Sequence, residues 1–473
     1  MSMHLTHSHN MQALAGALLA SLLSACAVGT TYQPPDIAQP QRFRHAPQRA
    51  QESTAAWWRD FDDPQLTRLV EDALTANHDL AQALARIEQA QAWTLRARAD
   101  RLPIAEVSAQ ARRQRESLES PQGRISRGSA AFKRSDGSRE AGLGASWELD
   151  LFGRLHRQSQ AAQARYEHSS AEWHGMRVAV AAQTADAYVM LLQARLQQMV
   201  LRRQIDNLRL AVQLDQQRYG AKIIAIAPLH RTQAALASLQ AEWPGLEQLI
   251  EVQRNRLAVL VGQSPTDFEL PALPQRLPEA APLAGFDPPG ALLRSRPDVM
   301  AAEQRLIEAS AQVGSAMAGY YPNLSLSGVL GLQAATGGAF TSGDAVNAAG
   351  LLGLRWRLFD FARVDAEIRQ ARGQHAEALA AYRQTLLLAT EDVENALQAR
   401  SSTYMEWGKN REAAASLEKA CAASHAAWAA QRISRLAALE AEQQWLSALR
   451  KAIAAEGRSI TSQIQLYKAS GKA

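Results

Sequence analysis

Two thiols and eleven imidazoles are the side chains in this chain best suited to do chemistry. The histidines are scattered, and His156, His168 and His174 read as helix-surface residues. No Ser/His/Asp set, His/carboxylate metal cluster or phosphate-binding glycine loop stands out. Nothing therefore points to an enzyme, a resident metal or a cofactor. Cys421 lies in an Ala-rich helical stretch and reads as a small buried apolar residue. Cys26 is different, because it closes an apolar, small-residue run at 11–25. That run is too short to span a bilayer and reads as the core of a signal peptide occupying 1–25.

Leu23-Ser24-Ala25-Cys26 resembles the bacterial lipobox. The resemblance implies cleavage before Cys26, S-diacylglycerol on its thiol and an N-palmitoyl group on the new amino terminus. Each buried methylene contributes about 0.8 kcal/mol and one chain alone is marginal, so several acyl chains anchor stably. Ala27 stands where an Asp would retain such a lipoprotein in the inner membrane, which implies sorting to the outer one. Residues 26–56 form a lipidated segment, Gln/Pro/Arg-rich from 30 onward, that reads as a tether holding the body off its lipid.

The elements that would carry function come in two copies. Shifted by 219, Leu74, Asp79, Arg86, Pro103 and Ser108 fall on Leu293, Asp298, Arg305, Pro322 and Ser327. Shifted by 209, Trp147, Leu149, Phe152, Arg154, Leu257 and Gly262 fall on Trp356, Leu358, Phe361, Arg363, Leu466 and Gly471. The period exceeds any single supersecondary unit, so the chain is read as two large half-molecules. Residues 57–262 form the first and 291–473 the second, with the Pro-rich 263–290 as an extended connector.

Four runs alternate apolar and polar residues: 105–112, 141–151, 324–332 and 352–358. Each is about as long as a tilted transmembrane strand, and each pair is joined by a polar Gly/Ser-rich segment. Leu149 and Leu326 fall on the inferred lipid face, Ser325 and Gly331 on the inferred lumen face. Four strands leave open edges that lipid does not tolerate, so a barrel needs several chains. After residue 26 no apolar run reaches the ~20 residues of a membrane helix.

Proline-free stretches at 154–219 and 363–432 predict helices of roughly 100 Å. Partner helices are predicted at 229–261 and 436–467, with Ala-rich stripes that permit close packing. Asn77 suits an N-cap and Pro297 a first helical position. The net charge of +5 is weak and scattered, without a basic patch interleaved with aromatics, which argues against nucleic acid.

The chain resembles the outer membrane efflux factor family, the TolC-like exit ducts, and within it the NodT-type lipoproteins. The matching residues are Arg296-Pro297-Asp298-Val299, Ala302-Glu303, the 321–328 segment YPNLSLSG and the 147–154 segment WELDLFGR. Arg218-Tyr219, the 255–262 segment NRLAVLVG and Leu466-Tyr467-Lys468-Ala469 match as well. The resemblance implies a fold that is mainly α with a β-barrel part. Three chains would make a twelve-stranded barrel in the outer membrane and a periplasmic α-barrel of long antiparallel hairpins. Its implied partners are a periplasmic adaptor and an inner membrane pump, its implied cargo small molecules or drugs. Arg296 and Asp298 are then helix-start residues.

The helix–helix turns depart from the family pattern. Lys222 stands where Gly is usual, and the second turn holds Arg432, Ile433 and Arg435 where some relatives carry acidic residues. Lys222, Arg432 and Arg435 are thus the candidate tip or gate residues. The two arginines either form a cationic rim, neutralised by Asp215 or Glu440 or by anionic residues of the adaptor, or point to solvent. The alternative for the whole chain is a periplasmic coiled-coil adaptor or structural lipoprotein, which would need no lipid-facing strands.

Overall fold

The computed structural model describes residues 28–29, 32–36, 42–45, 56–129, 132–270, 272–279, 288–335 and 339–472. The described parts divide into two compact units. One comprises Met1–Pro35, Glu88–Glu167 and Gln304–Ala380, the other Asp36–Ile87, His168–Glu303 and Ala381–Ala473. Each unit draws on both halves of the repeat.

The first unit is built on one antiparallel sheet, β1 Ile104–Arg115, β2 Ser135–Glu148, β3 Asn323–Ala334 and β4 Val346–Arg355, in the order β1-β2-β3-β4. All four predicted strands form, with shifted ends. β2 starts six residues earlier than the alternation at 141 suggested, because it pairs with β1 as far as Arg115↔Ser135. It stops at Glu148, so Leu149 lies just beyond it, its N–H donating to the Leu324 carbonyl at 3.0 Å. β4 stops at Arg355, before Trp356 and Leu358. A short helix, Pro121–Ser126, sits in the loop of the first pair, its N-cap Ser120 accepting from the Gly123 N–H.

The helices, numbered in chain order, are α1 Pro64–Ala76, α2 His78–Ala99, α3 Pro121–Ser126, α4 Arg154–Gly220, α5 Ile226–Leu260, α6 Pro289–Ser295, α7 Pro297–Met317, α8 Phe361–Ala429 and α9 Arg435–Ala469. The 67 residues of α4 and 69 of α8 match the proline-free stretches. α5 keeps its course through Pro244 although that residue lacks a backbone donor. α1 and α6 lie outside the helices the sequence pattern predicts, and α6 begins inside the expected connector. Asp63 starts α1 by accepting from the Gln65 and Leu66 N–H groups at 2.8 and 3.0 Å.

In the second unit α4 and α5 run antiparallel, with Arg256 reaching Gln183 and Thr232 reaching Asp215. α9 lies antiparallel to α4, through Asn207 to the Leu439 carbonyl and Arg450 to Gln204. Small residues make this approach possible: Ala181, Ala185 and Ala187 are buried, and a Cβ on Gly457 would collide with the Gln193 side chain. The core gathers Trp57, Phe61, Leu66, Tyr188, Leu191, Leu257, Ile460 and Ile464. Trp57 stacks on Tyr467 at 5.1 Å, and the Tyr188 hydroxyl donates to Asp63 at 2.9 Å. Cys421 is buried, as expected. His168 is not a plain surface residue: its Nδ1 lies 2.9 Å from the Ala301 carbonyl.

Candidate channel lining and its supports

The register divides the sheet into two chemically distinct faces. Val107 sits opposite Leu143, Leu143 opposite Leu330, Trp147 opposite Leu326, and Leu326 opposite Leu352. This face is apolar and exposed, as Val107, Leu330, Leu352 and Leu354 illustrate. So large an exposed apolar surface marks contact with lipid or another protein. The other face borders a trough of about 550 Å³ lined by Glu106, Ser108, Ser146, Ser327, Val329 and Leu351 among others. Gly142 and Gly331 face each other there, and a Cβ on Gly331 would lie 2.6 Å from the Ala141 carbonyl. Leu326, Ser325 and Gly331 thus take the sides expected. Leu149 belongs at the rim next to Trp147, off the middle of the sheet.

The segment 147–154 is a fastener between β2 and α4. The Trp147 indole donates to the Arg101 carbonyl at 2.9 Å. Asp150, at φ 45°, caps α4 by accepting from the Leu155 and His156 N–H groups at 2.8 and 2.7 Å. Glu148 receives two contacts from the Arg154 Nη2, at 2.9 and 2.8 Å. Phe152 stacks on Tyr321 at 4.7 Å. At the repeat-equivalent position Trp356 donates to the Tyr320 carbonyl, also at 2.9 Å.

Cys26 lies outside the described residues. Just after it, the Val28 N–H donates to the Phe152 carbonyl at 3.2 Å, and Arg157 donates to the Val28 and Gly29 carbonyls. Further along, Phe43 is buried beside Leu292 and Val393. The described parts of the expected stand-off tether therefore lie against the body, because they offer a buried aromatic and backbone acceptors to it.

The two hairpin turns share one backbone. The Ile223 N–H bonds to the Arg218 carbonyl at 2.8 Å and the Arg432 N–H to that of Ala427 at 2.9 Å. Lys222 and Gln431 occupy equivalent places and both have φ of 58°. This left-handed position explains the usual Gly. Arg432 and Arg435 are exposed, and the Arg435 guanidinium lies over the Trp428 ring at 5.4 Å. Asp215, one of the anticipated partners of the rim, is instead held within the first hairpin by Thr232 at 2.8 Å and Arg218 at 3.4 Å.

Beyond the helix start read from sequence, Arg296 is a buried anchor. It donates to Asp298 at 3.0 and 2.7 Å, to Asp392 at 3.1 Å, and to the Ala469 and Ala389 carbonyls at 2.8 and 3.3 Å. Burial opposes its charge, but the Asp298 and Asp392 carboxylates outweigh that and hold the guanidinium above its ordinary pKa. Asn77 occupies the equivalent place under the 219 shift, and its amide donates to the Leu260 carbonyl at 3.0 Å. Leu260 and Ala469 are themselves equivalent under the 209 shift. Comparing the polar residue just before each helix across the two shifts was the signal that could have found this pair. Asp186 is a second anchor missed from sequence: its carboxylate accepts from Gln465, and burial raises its pKa to about 6 against the lowering effect of its hydrogen bonds.

Among the described residues no helix is long and apolar enough to cross a membrane. A sheet with one apolar outer face, a polar trough behind it and long helical hairpins defines a strand-based membrane channel subunit. The chain belongs to the outer membrane efflux protein family, whose model matches residues 69–263 and 289–472. It is 29% identical to the outer membrane protein OprJ of Pseudomonas aeruginosa over 395 residues, covering 82% of this chain and 81% of that one. It is 27% identical to nodulation protein T of Rhizobium leguminosarum bv. trifolii, over 80% of this chain and 79% of that one. Among solved structures it matches the outer-membrane channel OprN with a TM-score of 0.84 at 31% identity, covering 95% of this chain and 99% of that one. The protein is an outer membrane efflux channel.

Proposed function

We propose that three copies close β4 of one onto β1 of the next, giving a twelve-stranded barrel through which small molecules leave the cell. The observation that carries this reading is the sheet itself, with one lipid-compatible face and two open edges. Lipid offers those edges no hydrogen-bonding partner, so closure is required. The trough side, with Glu106, Ser108, Ser146 and Ser327, becomes the wetted wall. The helical hairpins extend the duct across the periplasm, where an adaptor and an inner membrane pump deliver cargo. Energy comes from the pump, and the duct performs no bond chemistry. Cys26 carries the acyl chains that hold the chain at the inner leaflet. Its neighbour Val28 is bonded beside the base of the sheet, which suits an anchor there.

Lys222, Arg432 and Arg435 line the tip in this reading, with the two arginines of each chain forming a cationic rim. The decisive experiment is outer membrane fractionation of cells expressing the chain with its pump and adaptor. Heat-dissociable trimers there, together with drug accumulation when the gene is deleted, are expected. A protein that becomes soluble once delipidated overturns the duct. For the rim, Arg432→Glu with Arg435→Glu is expected to shift channel selectivity towards cations; unchanged selectivity in bilayer recordings removes it.

A further inference from the structure

The apolar face of the sheet ends differently in its two strand pairs. Along β1 this face carries Ala105, Val107, Ala109 and Ala111, then Arg113 and Arg115. Arg139 of β2 sits on the same face, directly opposite Ala111. The matching end of the second pair holds Leu332, Ala334 and Val346. Asp and Glu are absent from every position of this face in the four strands, whereas the trough face carries Glu106, Asp136, Glu140 and Glu148. The three arginines are exposed, and none forms an ion pair with a described residue.

Their height is informative. Trp147 marks one rim of the apolar face, and Gly137, the partner of Arg113, lies ten residues further up β2. At about 3.4 Å per residue and a tilt near 40°, Arg113 stands roughly 26 Å above that tryptophan. Arg139 falls at about 21 Å and Arg115 at about 31 Å by the same steps. The apolar band of such a barrel is about 25 Å tall, so the arginines straddle its far rim, where lipid headgroups begin. Guanidinium matches phosphate with paired N–H donors, and it tolerates partial burial better than ammonium.

We propose that Arg113, Arg115 and Arg139 form a binding site for the phosphate groups of outer-leaflet lipid, one site on each chain. The site rests on the barrel reading above, which puts the loops outward. Continuity with the apolar stripe favours a lipid, whose acyl chains would lie along Val107 and Leu143 beneath its phosphates.

The test uses purified full-length protein in neutral detergent, with its heat-dissociation midpoint followed on titration with diphosphorylated lipid A. The midpoint is expected to rise with lipid A, including in the presence of a chelator, and not with its dephosphorylated form or inorganic phosphate. In Arg113→Gln/Arg115→Gln/Arg139→Gln the affinity is expected to fall roughly hundredfold. The loop control Arg124→Gln/Arg127→Gln is expected to keep the response. An equal response in the triple variant, the same shift from inorganic phosphate, or loss of the shift on chelation overturns the site. Should the triple variant fail to assemble, Arg139→Gln alone is scored, with a several-fold loss expected and an unchanged affinity overturning the site. Density-gradient fractions of the same cells keep the two claims apart. Absence of the chain from the outer membrane removes the barrel reading, while presence there with an unaltered lipid response in the variant removes only the lipid site.

Discussion

At the turn of the first helical hairpin stand Ile223, Ile224 and Ile226, and at the equivalent places of the second stand Arg432, Ile433 and Arg435. The backbone is the same in both, down to the left-handed residue and the bond that closes the turn. Helix starts differ as well. Ser434 caps α9 by accepting from the Ala437 N–H, whereas Ala225 precedes α5 with no side-chain cap. The same contrast recurs where Asn77 and Arg296 hold equivalent helix-end carbonyls, one as a neutral amide and the other as a guanidinium with two carboxylates. Positions that close backbone hydrogen bonds keep their geometry in both halves, and the chemistry around them is free to diverge. A repeat of this kind preserves where the chain turns more strictly than what it shows to its surroundings.

The anchors give the largest expected difference. Arg296→Ala strands the helix-end Ala469 carbonyl, takes a second donor from the Ala389 carbonyl and separates two carboxylates from their cation, at a cost of roughly 2–4 kcal/mol. Asn77→Ala removes one amide bond and a helix cap, roughly 1–2 kcal/mol. Chemical denaturation of both variants ranks them, and equal losses would show that the charge adds nothing to the second anchor.

Asp186 offers a pH-dependent contrast, because its equivalent in the other half is the neutral Asn395. Its folded pKa of about 6 lies above the ordinary 3.8, so ionisation works against the fold. The stabilisation is complete below about pH 4 and is lost as pH rises through 6. Asp186→Asn should therefore stabilise the protein at pH 7 by about 3 kcal/mol at most and flatten its stability between pH 4 and 6. Parallel pH–stability curves for variant and parent would refute this.

At the helix starts, Ser434→Ala should cost about 1 kcal/mol and Ala225→Ser should recover a similar amount. Melting curves that leave either substitution neutral would mean that solvent caps these ends as well as a hydroxyl does. The smallest effect belongs to the left-handed turn residues. Lys222→Gly and Gln431→Gly should each stabilise by about 0.5 kcal/mol, since relief of the strained φ outweighs the added chain entropy. Destabilisation of both variants would mean that the side chains make contacts worth more than the strain.

The period-two runs located all four strands because one face of each is apolar and the other polar, as at 324–332. They miss β2 between Ser135 and Glu140, where both faces turn polar and alternation carries no signal. The long helices are plain from missing proline and recurrent alanine, yet the exposed Pro244 shows that a helix can run through a proline. Lys222 drew attention because Gly was expected there, and its φ gives the reason. The sequence marks Arg296 only as a local helix start, because its partners Asp392 and Ala469 are 96 and 173 residues away in the chain. Spacing along a sequence does not report such contacts.

The sheet's open edges also bear on how the protein reaches its final state. Among the described residues β1 and β4 each pair on one side only, so a solitary chain entering lipid leaves two rows of backbone groups without partners. Each unsatisfied group costs several kcal/mol in hydrocarbon, so the penalty grows along the whole length of a strand. In the barrel proposed above, insertion is then coupled to association, and its rate should rise more steeply than linearly with the concentration of chains awaiting entry. Dilution should leave the helical hairpins folded and the strands stranded at the membrane surface.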